Sequence, residues 1–164
     1  MTNNKLKLVQ IGIVFACLSA DYVTKTMGKL ILTVDDSPDI LDCIDIILTM
    51  EGYKVVTSQD PENILNNIFK YSPDLILLDI QMGEINGLDV CRELKNNSYT
   101  KNIPVVMVSS DDNIYKSISD YGADDFLLKP FDCQQLTDLA AKYLLARVIT
   151  MPRHPQAINP AINQ

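Results

Sequence analysis

Several things are scarce in this 164-residue chain, and each absence excludes a class of function. There is one histidine, His154, set among the prolines near the end, which provides neither a histidine metal site nor a catalytic relay. The four cysteines, Cys17, Cys43, Cys91 and Cys133, lie far apart and match no metal-ligand spacing. Cys43, Cys91 and Cys133 fall at helical intervals from apolar neighbours and read as small buried hydrophobes of a reducing cytoplasm. No run of Lys and Arg occurs, and the net charge is −7. Nucleic-acid phosphates would repel such a surface, so DNA or RNA binding by this chain alone is not expected. The apolar stretch Leu8–Ala20 is too short to cross a bilayer as a helix, which takes about 20 residues. No internal repeat is evident. What is present is 47% hydrophobic residues, enough for one domain with a real core and not two.

The pattern becomes regular from Leu30. Leu30–Val34 is an apolar strand ending in Asp35-Asp36, and Ser37-Pro38 reads as N-cap and first-turn proline of a helix carrying Ile40, Cys43, Ile44 and Ile47 at helical spacing. Lys54–Thr57 is a second strand. Asp60-Pro61 caps a second helix with Ile64, Leu65, Ile68 and Phe69 as its core stripe. Leu75–Asp79, after the breaker Ser72-Pro73-Asp74, reads as a strand buried on both faces of a parallel sheet. A loop closed by Asn86-Gly87 leads into a helix to about Lys95. Pro104–Ser109 is the fourth strand, and a weakly amphipathic helix with Ile114, Tyr115 and Ile118 stops at Gly122. Phe126–Leu128 is the fifth strand, ending in Lys129-Pro130. Asp132 and Gln135 form a capping box for a closing helix with Leu136, Leu139, Ala140 and Tyr143 on one face.

Strands alternating with helices over short connections imply an α/β fold: a three-layer, doubly wound, five-stranded parallel sheet. Residues 28–148 form that domain, and the Pro-rich 149–164 segment reads as a disordered tail. Residues 1–27 have three readings. Met27-Gly28-Lys29 looks like a natural start, so an over-extended reading frame comes first. A membrane-associating or partner-binding segment is second. A secretory signal comes last, because Phe15 fits poorly in the cleavage box that Val14-Phe15-Ala16-Cys17 faintly resembles.

Parallel strands deliver their C-terminal residues to one edge of the sheet, where open α/β folds bind ligands. That edge would hold Asp35, Asp36, Asp79, Ser109 and Lys129. Three close carboxylates repel one another, which raises a pKa or demands a cation, and a hard divalent ion such as Mg²⁺ suits them. Lysine offers a compact charge for an incoming phosphoryl group, and serine a hydroxyl for one of its oxygens. Each residue alone has a plainer explanation as a cap or turn former. Independent caps have no reason to follow successive strands with phosphate-handling chemistry each time. The conjunction points to phosphoryl transfer.

These residues carry a family resemblance. The acidic pair Asp35-Asp36, Asp79 in Leu-Leu-Asp-Ile-Gln-Met, Asn86-Gly87, Ser109-Ser110 and Lys129-Pro130-Phe131 make Leu30–Arg147 similar to the receiver domain of bacterial response regulators. The resemblance implies a flavodoxin-like fold with strand order 2-1-3-4-5. It implies Asp79 as phosphoacceptor and Mg²⁺ ligand, with Asp36 on Mg²⁺ directly, Asp35 through water and the Gln81 main-chain carbonyl as a further ligand. It also implies Lys129 pairing with Asp79 at rest, a Lys129–Pro130 bond like the family's cis peptide, Ser109 as switch hydroxyl and Phe126 as the coupled aromatic.

The expected function is a single-domain, cytoplasmic response regulator, not a turnover enzyme. It would receive its phosphoryl group from a histidine kinase or phosphotransfer protein. It would then bind a downstream protein through the fourth helix, fifth strand and fifth helix. Gly83 stands where the family commonly has proline, so the loop carrying Gln81 should be looser, and Asp111 adds an acid near the site. Three competing readings are a binding module that has abandoned phosphorylation, a haloacid-dehalogenase-type phosphatase and a flavodoxin-like electron carrier. Against them stand the intact residue set, adjacent acids in place of an Asp-x-Asp motif, and an acidic edge that would repel a flavin phosphate.

Overall fold

The computed structural model describes residues 28–111 and 114–145. The expected N-terminal extension, the tail, Cys17, His154 and part of the loop before the fourth helix lie outside the described residues. Five strands, β1 (Leu30–Val34), β2 (Lys54–Ser58), β3 (Leu75–Asp79), β4 (Val105–Ser109) and β5 (Asp125–Leu128), form one sheet in the order β2-β1-β3-β4-β5. Every neighbouring pair is parallel. This is the doubly wound topology expected from the sequence. Helices α1 (Pro38–Met50), α2 (Ile64–Tyr71), α3 (Gly87–Asn96) and α4 (Lys116–Tyr121) make the crossovers, and α5 (Cys133–Leu145) follows β5. No helix of the described residues is long and apolar enough to cross a membrane.

The period-2 alternation of the strands sorts the core into two layers. Leu32, Val34, Ile76, Leu78, Val105 and Met107 pack with Ile64 and Ile68 of α2, and with Cys91 and Leu94 of α3. Ile31, Leu75, Leu77, Val106 and Val108 face the other way, onto Ile44 and Leu48 of α1 and Leu136, Ala140 and Leu144 of α5. All five residues of central β3 are buried. Burying each of its Leu and Ile side chains contributes roughly 1.5–3 kcal/mol, and this apolar support is what holds the carboxylate of Asp79 at its end.

The helix faces differ in part from the sequence expectation. In α1 the buried positions are Leu41, Ile44 and Leu48, while Cys43 is exposed. Apolar residues surround this helix, so spacing alone did not identify the inward face. In α2, Ile64 and Ile68 are buried but Leu65 and Phe69 are exposed. A 3₁₀ turn, Pro61–Asn63, precedes α2, and Phe69 makes an edge-on contact with Tyr99 at 6.5 Å. Cys133 is exposed as well, leaving Cys91 as the buried thiol among the described cysteines. Burial pushes the Cys91 thiol up to about 11, which makes it unreactive.

Caps fix the helix starts. Asp132 and Gln135 exchange hydrogen bonds, the Asp132 amide to Gln135 Oε1 at 2.9 Å and the Gln135 amide to Asp132 Oδ1 at 2.8 Å. Asn86 Oδ1 accepts from the Leu88 amide, and Asp60 Oδ1 from that of Glu62. Ser37 occupies the N-cap of α1 without a side-chain cap bond. Its amide donates instead to Asp35 Oδ1 at 2.9 Å, so local turn chemistry serves the sheet edge.

Candidate functional site

The sheet register brings the expected residues together. β3 lies between β1 and β4, with Val34 beside Leu78 and Asp79 beside Val108. Asp35 and Asp36 therefore leave the sheet next to Asp79. β4 pairs with β5 through Ser109 and Leu128, which places Lys129 just past that end. An oxygen from each of Asp35, Asp36 and Asp79 lies within 4.8 Å of the others. Asp35 and Asp79 are buried, whereas Asp36 is exposed.

Lys129 balances the two buried acids. Its Nζ donates to Asp35 Oδ2 at 2.6 Å and to Asp79 Oδ1 at 2.7 Å. The family resemblance implied the Asp79 contact, and the bond to Asp35 is additional. The second oxygen of Asp79 accepts from the Gln81 amide at 2.8 Å. Burial dominates at Asp79 and raises its pKa despite the hydrogen bond and charge of Lys129, with the Asp35 charge pushing the same way. At Lys129 burial pulls downward, but the hydrogen bonds and charges of Asp35 and Asp79 outweigh it and the pKa is raised. The Lys129–Pro130 peptide bond is cis.

Three hard carboxylates converging on one point fit a divalent cation that takes oxygen ligands. The Gln81 contribution described above is a hydrogen bond from its amide to Asp79, distinct from the main-chain carbonyl implied as a ligand. Ser109 is buried at the end of β4, where its Oγ accepts from the Asp111 amide at 3.1 Å. Phe126, beside Met107, is half-buried at the margin of the core layer that holds α2 and α3.

The loop after Asp79 turns at Gly83 in a short hairpin. Gln81–Met82 pairs antiparallel with Ile85–Asn86, Met82 is buried, and the Gly83 amide donates to Asp36 Oδ2 at 3.2 Å. Gly83 has φ +61, a left-handed conformation that glycine adopts without steric cost. Gly87, which the sequence marked only as a loop closer, has a larger role. A Cβ there would lie 1.9 Å from the Asp79 carbonyl oxygen, and its amide donates to the Ile80 carbonyl at 2.8 Å. The first turn of α3 thus rests directly on the backbone of the acid-bearing strand. An Asn-Gly pair at a helix start already hinted at such a close approach.

Comparisons with known proteins agree with this geometry. Residues 31–141 match the family model of the response regulator receiver domain. The response regulator ArlR of Staphylococcus aureus is 34% identical over 108 residues, 65% of this chain and 48% of that protein. The chain thus spans about half the length of the curated relatives it matches. Among solved structures, the chemotaxis response regulator CheY4 of Vibrio cholerae matches with a TM-score of 0.66 at 28% identity, covering 73% of this chain and 100% of that one. The receiver domain of NtrX from Brucella abortus matches with a TM-score of 0.64 at 36% identity, covering 70% and 98%.

Proposed function

The chain belongs to the response regulator receiver domain family of two-component signalling, and on that premise we propose that Asp79 is its phosphoacceptor. The observation that carries the reading is the bridge from Lys129 to Asp35 and Asp79 at the C-terminal edge of the sheet. An oxygen of the Asp79 carboxylate attacks phosphorus of a phosphohistidine on a kinase or phosphotransfer protein. The P–N bond breaks, the histidine leaves with the electron pair and takes up a proton, and an acyl phosphate remains on Asp79. Lys129, already within reach of that carboxylate, holds the phosphoryl oxygens as charge builds on them. Asp35, Asp36, Asp79 and the Gln81 carbonyl would hold Mg²⁺, which would supply charge neutralisation for the phosphoryl group when bound. The protein contributes positioning and electrostatics, so it assists its own phosphorylation and hydrolysis without turning over a separate substrate.

The signal follows from local charge. A phosphoryl group adds acceptor oxygens beside Ser109, whose hydroxyl leaves the Asp111 amide to reach one of them. Phe126 turns into the space released, and the face made by α4, β5 and α5 changes the partner it presents. Exposed Tyr115, Ile118 and Leu128 on that side supply apolar contact for a downstream protein. In this reading residues 28–148 are a receiver unit working in the cytoplasm beside its phosphoryl donor. Incubation with acetyl phosphate and Mg²⁺, followed by intact-mass spectrometry, tests it. One hydroxylamine-labile phosphoryl adduct that requires both Mg²⁺ and Asp79 is expected. An adduct that persists in Asp79→Ala would overturn the assignment.

A further inference from the structure

Asp36 is the exposed acid of the trio, and its Oδ2 is held by an amide 47 positions away in sequence, that of Gly83. Both oxygens of Asp35 are engaged, by Ser37 and Lys129, and both of Asp79, by Gln81 and Lys129. Among the described residues, Oδ1 of Asp36 has no hydrogen-bond partner. Of the oxygens in the acidic cluster it is therefore the one with both lone pairs open to an incoming cation. An exposed aspartate would otherwise sample several rotamers, and fixing it on binding costs entropy. The Gly83 hydrogen bond restricts that choice beforehand, and a residue without an N–H could not supply it.

We infer that the Gly83 amide is a positioning group for divalent-cation binding, holding Asp36 through Oδ2 with Oδ1 free, so that the hairpin at residues 81–86 sets the cation affinity of the site. The inference rests on the reading of this edge as a cation-dependent receiver site. It assigns Gly83 a role in affinity, separate from the ligands themselves and from the phosphoryl chemistry.

Two substitutions separate the amide from the side chain. Gly83→Asn keeps the N–H. Asparagine tolerates positive φ, and a Cβ at this position meets nothing within 4 Å. Gly83→Pro removes the N–H. Isothermal titration of the full chain with Mg²⁺ should give Gly83→Asn an affinity within about twofold of wild type. It should weaken Gly83→Pro about tenfold, the factor equivalent to roughly 1.4 kcal/mol. Because proline also changes the backbone, the amide is read directly as well. In cation-free protein, Asp36→Ala should move the Gly83 amide proton upfield in the ¹H–¹⁵N spectrum, as expected when a charge-assisted hydrogen bond is lost. Equal Mg²⁺ affinity in wild type and both Gly83 variants overturns the inference, and so does a Gly83 amide indifferent to Asp36→Ala. A wild-type chain that binds no Mg²⁺ overturns the reading of the site itself, and the inference with it.

Discussion

Gly87→Ala sets two physical effects against each other. Alanine is the better helix former by up to about 1 kcal/mol in a helix interior, and less at a first helical position such as this one. Propensity alone therefore favours the variant. Steric contact opposes it, because the new Cβ would sit 1.9 Å from the Asp79 carbonyl oxygen and 2.9 Å from its carbonyl carbon. Real Cβ contacts essentially never fall under 3.0 Å, so the start of α3 and the end of β3 must part by about 1.1 Å. Both sides of the contact are backbone, and no side-chain rotation relieves it. Overpacking typically costs about 1–3 kcal/mol, and a backbone clash belongs at the upper end. The expected net loss is about 2 kcal/mol, on the order of 8 °C in Tm for a domain of this size. The displaced peptide carries the Asp79 side chain, and a misplacement of roughly 1 Å at a reacting group can cost on the order of 10²-fold in rate. Thermal unfolding followed by circular dichroism and the time course of acetyl phosphate labelling measure the two effects. A Tm equal to or above wild type, with unchanged labelling, would refute the claim that α3 rests on the Asp79 peptide.

Four further outcomes are expected. Asp79→Asn should stabilise the protein near neutral pH. A carboxylate whose folded pKa is raised takes up its proton more readily in the native state than in the unfolded chain, so its charged form penalises folding above that raised value. The advantage of the variant should shrink as pH falls through the raised pKa toward the unfolded value, as urea midpoints across pH would show. Lys129→Met strands two buried carboxylates and should cost about 3 kcal/mol, partly recovered by added Mg²⁺ in the same melts. Asp125 behaves oppositely to Asp79: burial pulls its pKa up, but the Lys142 hydrogen bond, the Phe126 amide and Tyr143 outweigh it and hold it low. Its stabilisation is present above the unfolded value and lost as pH falls through the folded one, so Asp125→Asn should match wild type in acid and fall below it at neutral pH. Ser109→Ala should still form the Asp79 adduct by mass but lose the phosphorylation-dependent chemical-shift change at Phe126.

The topology was readable because each β-strand is a short apolar run bounded by a turn former, and because parallel strands send their C-terminal residues to one edge. Asp35, Asp36, Asp79, Ser109 and Lys129 could be grouped on that argument alone. Helix faces were harder to read. In α1, Ile40, Leu41, Cys43, Ile44, Ile46, Ile47 and Leu48 are all apolar, and two stripes one residue apart fit equally well. In α2 the buried stripe, Ile64 and Ile68, is narrower than the apolar one, and composition does not signal that Leu65 and Phe69 stay outside. Hydrogen bonds made by main-chain amides, such as Gly83 to Asp36 and Ser37 to Asp35, depend on loop conformation and carry almost no residue signature. The turning point of the hairpin was visible as a glycine, but what its N–H touches was not.

The bridge from Lys129 also bears on when the site can exist. Its two contacts span 94 and 50 residues of sequence. Both acids are made long before the lysine that balances them, and a nascent chain halted short of Lys129 has the Asp35 and Asp79 carboxylates without their lysine. Contacts of such separation are slow to form, because loop closure must be achieved before they return any stability. The pieces come from β1, β3 and the far end of β5, so no single folding unit builds the pocket alone. On the proposed assignment of Asp79, competence to take a phosphoryl group is a property of the finished sheet, and labelling at Asp79 would count the molecules that have completed folding.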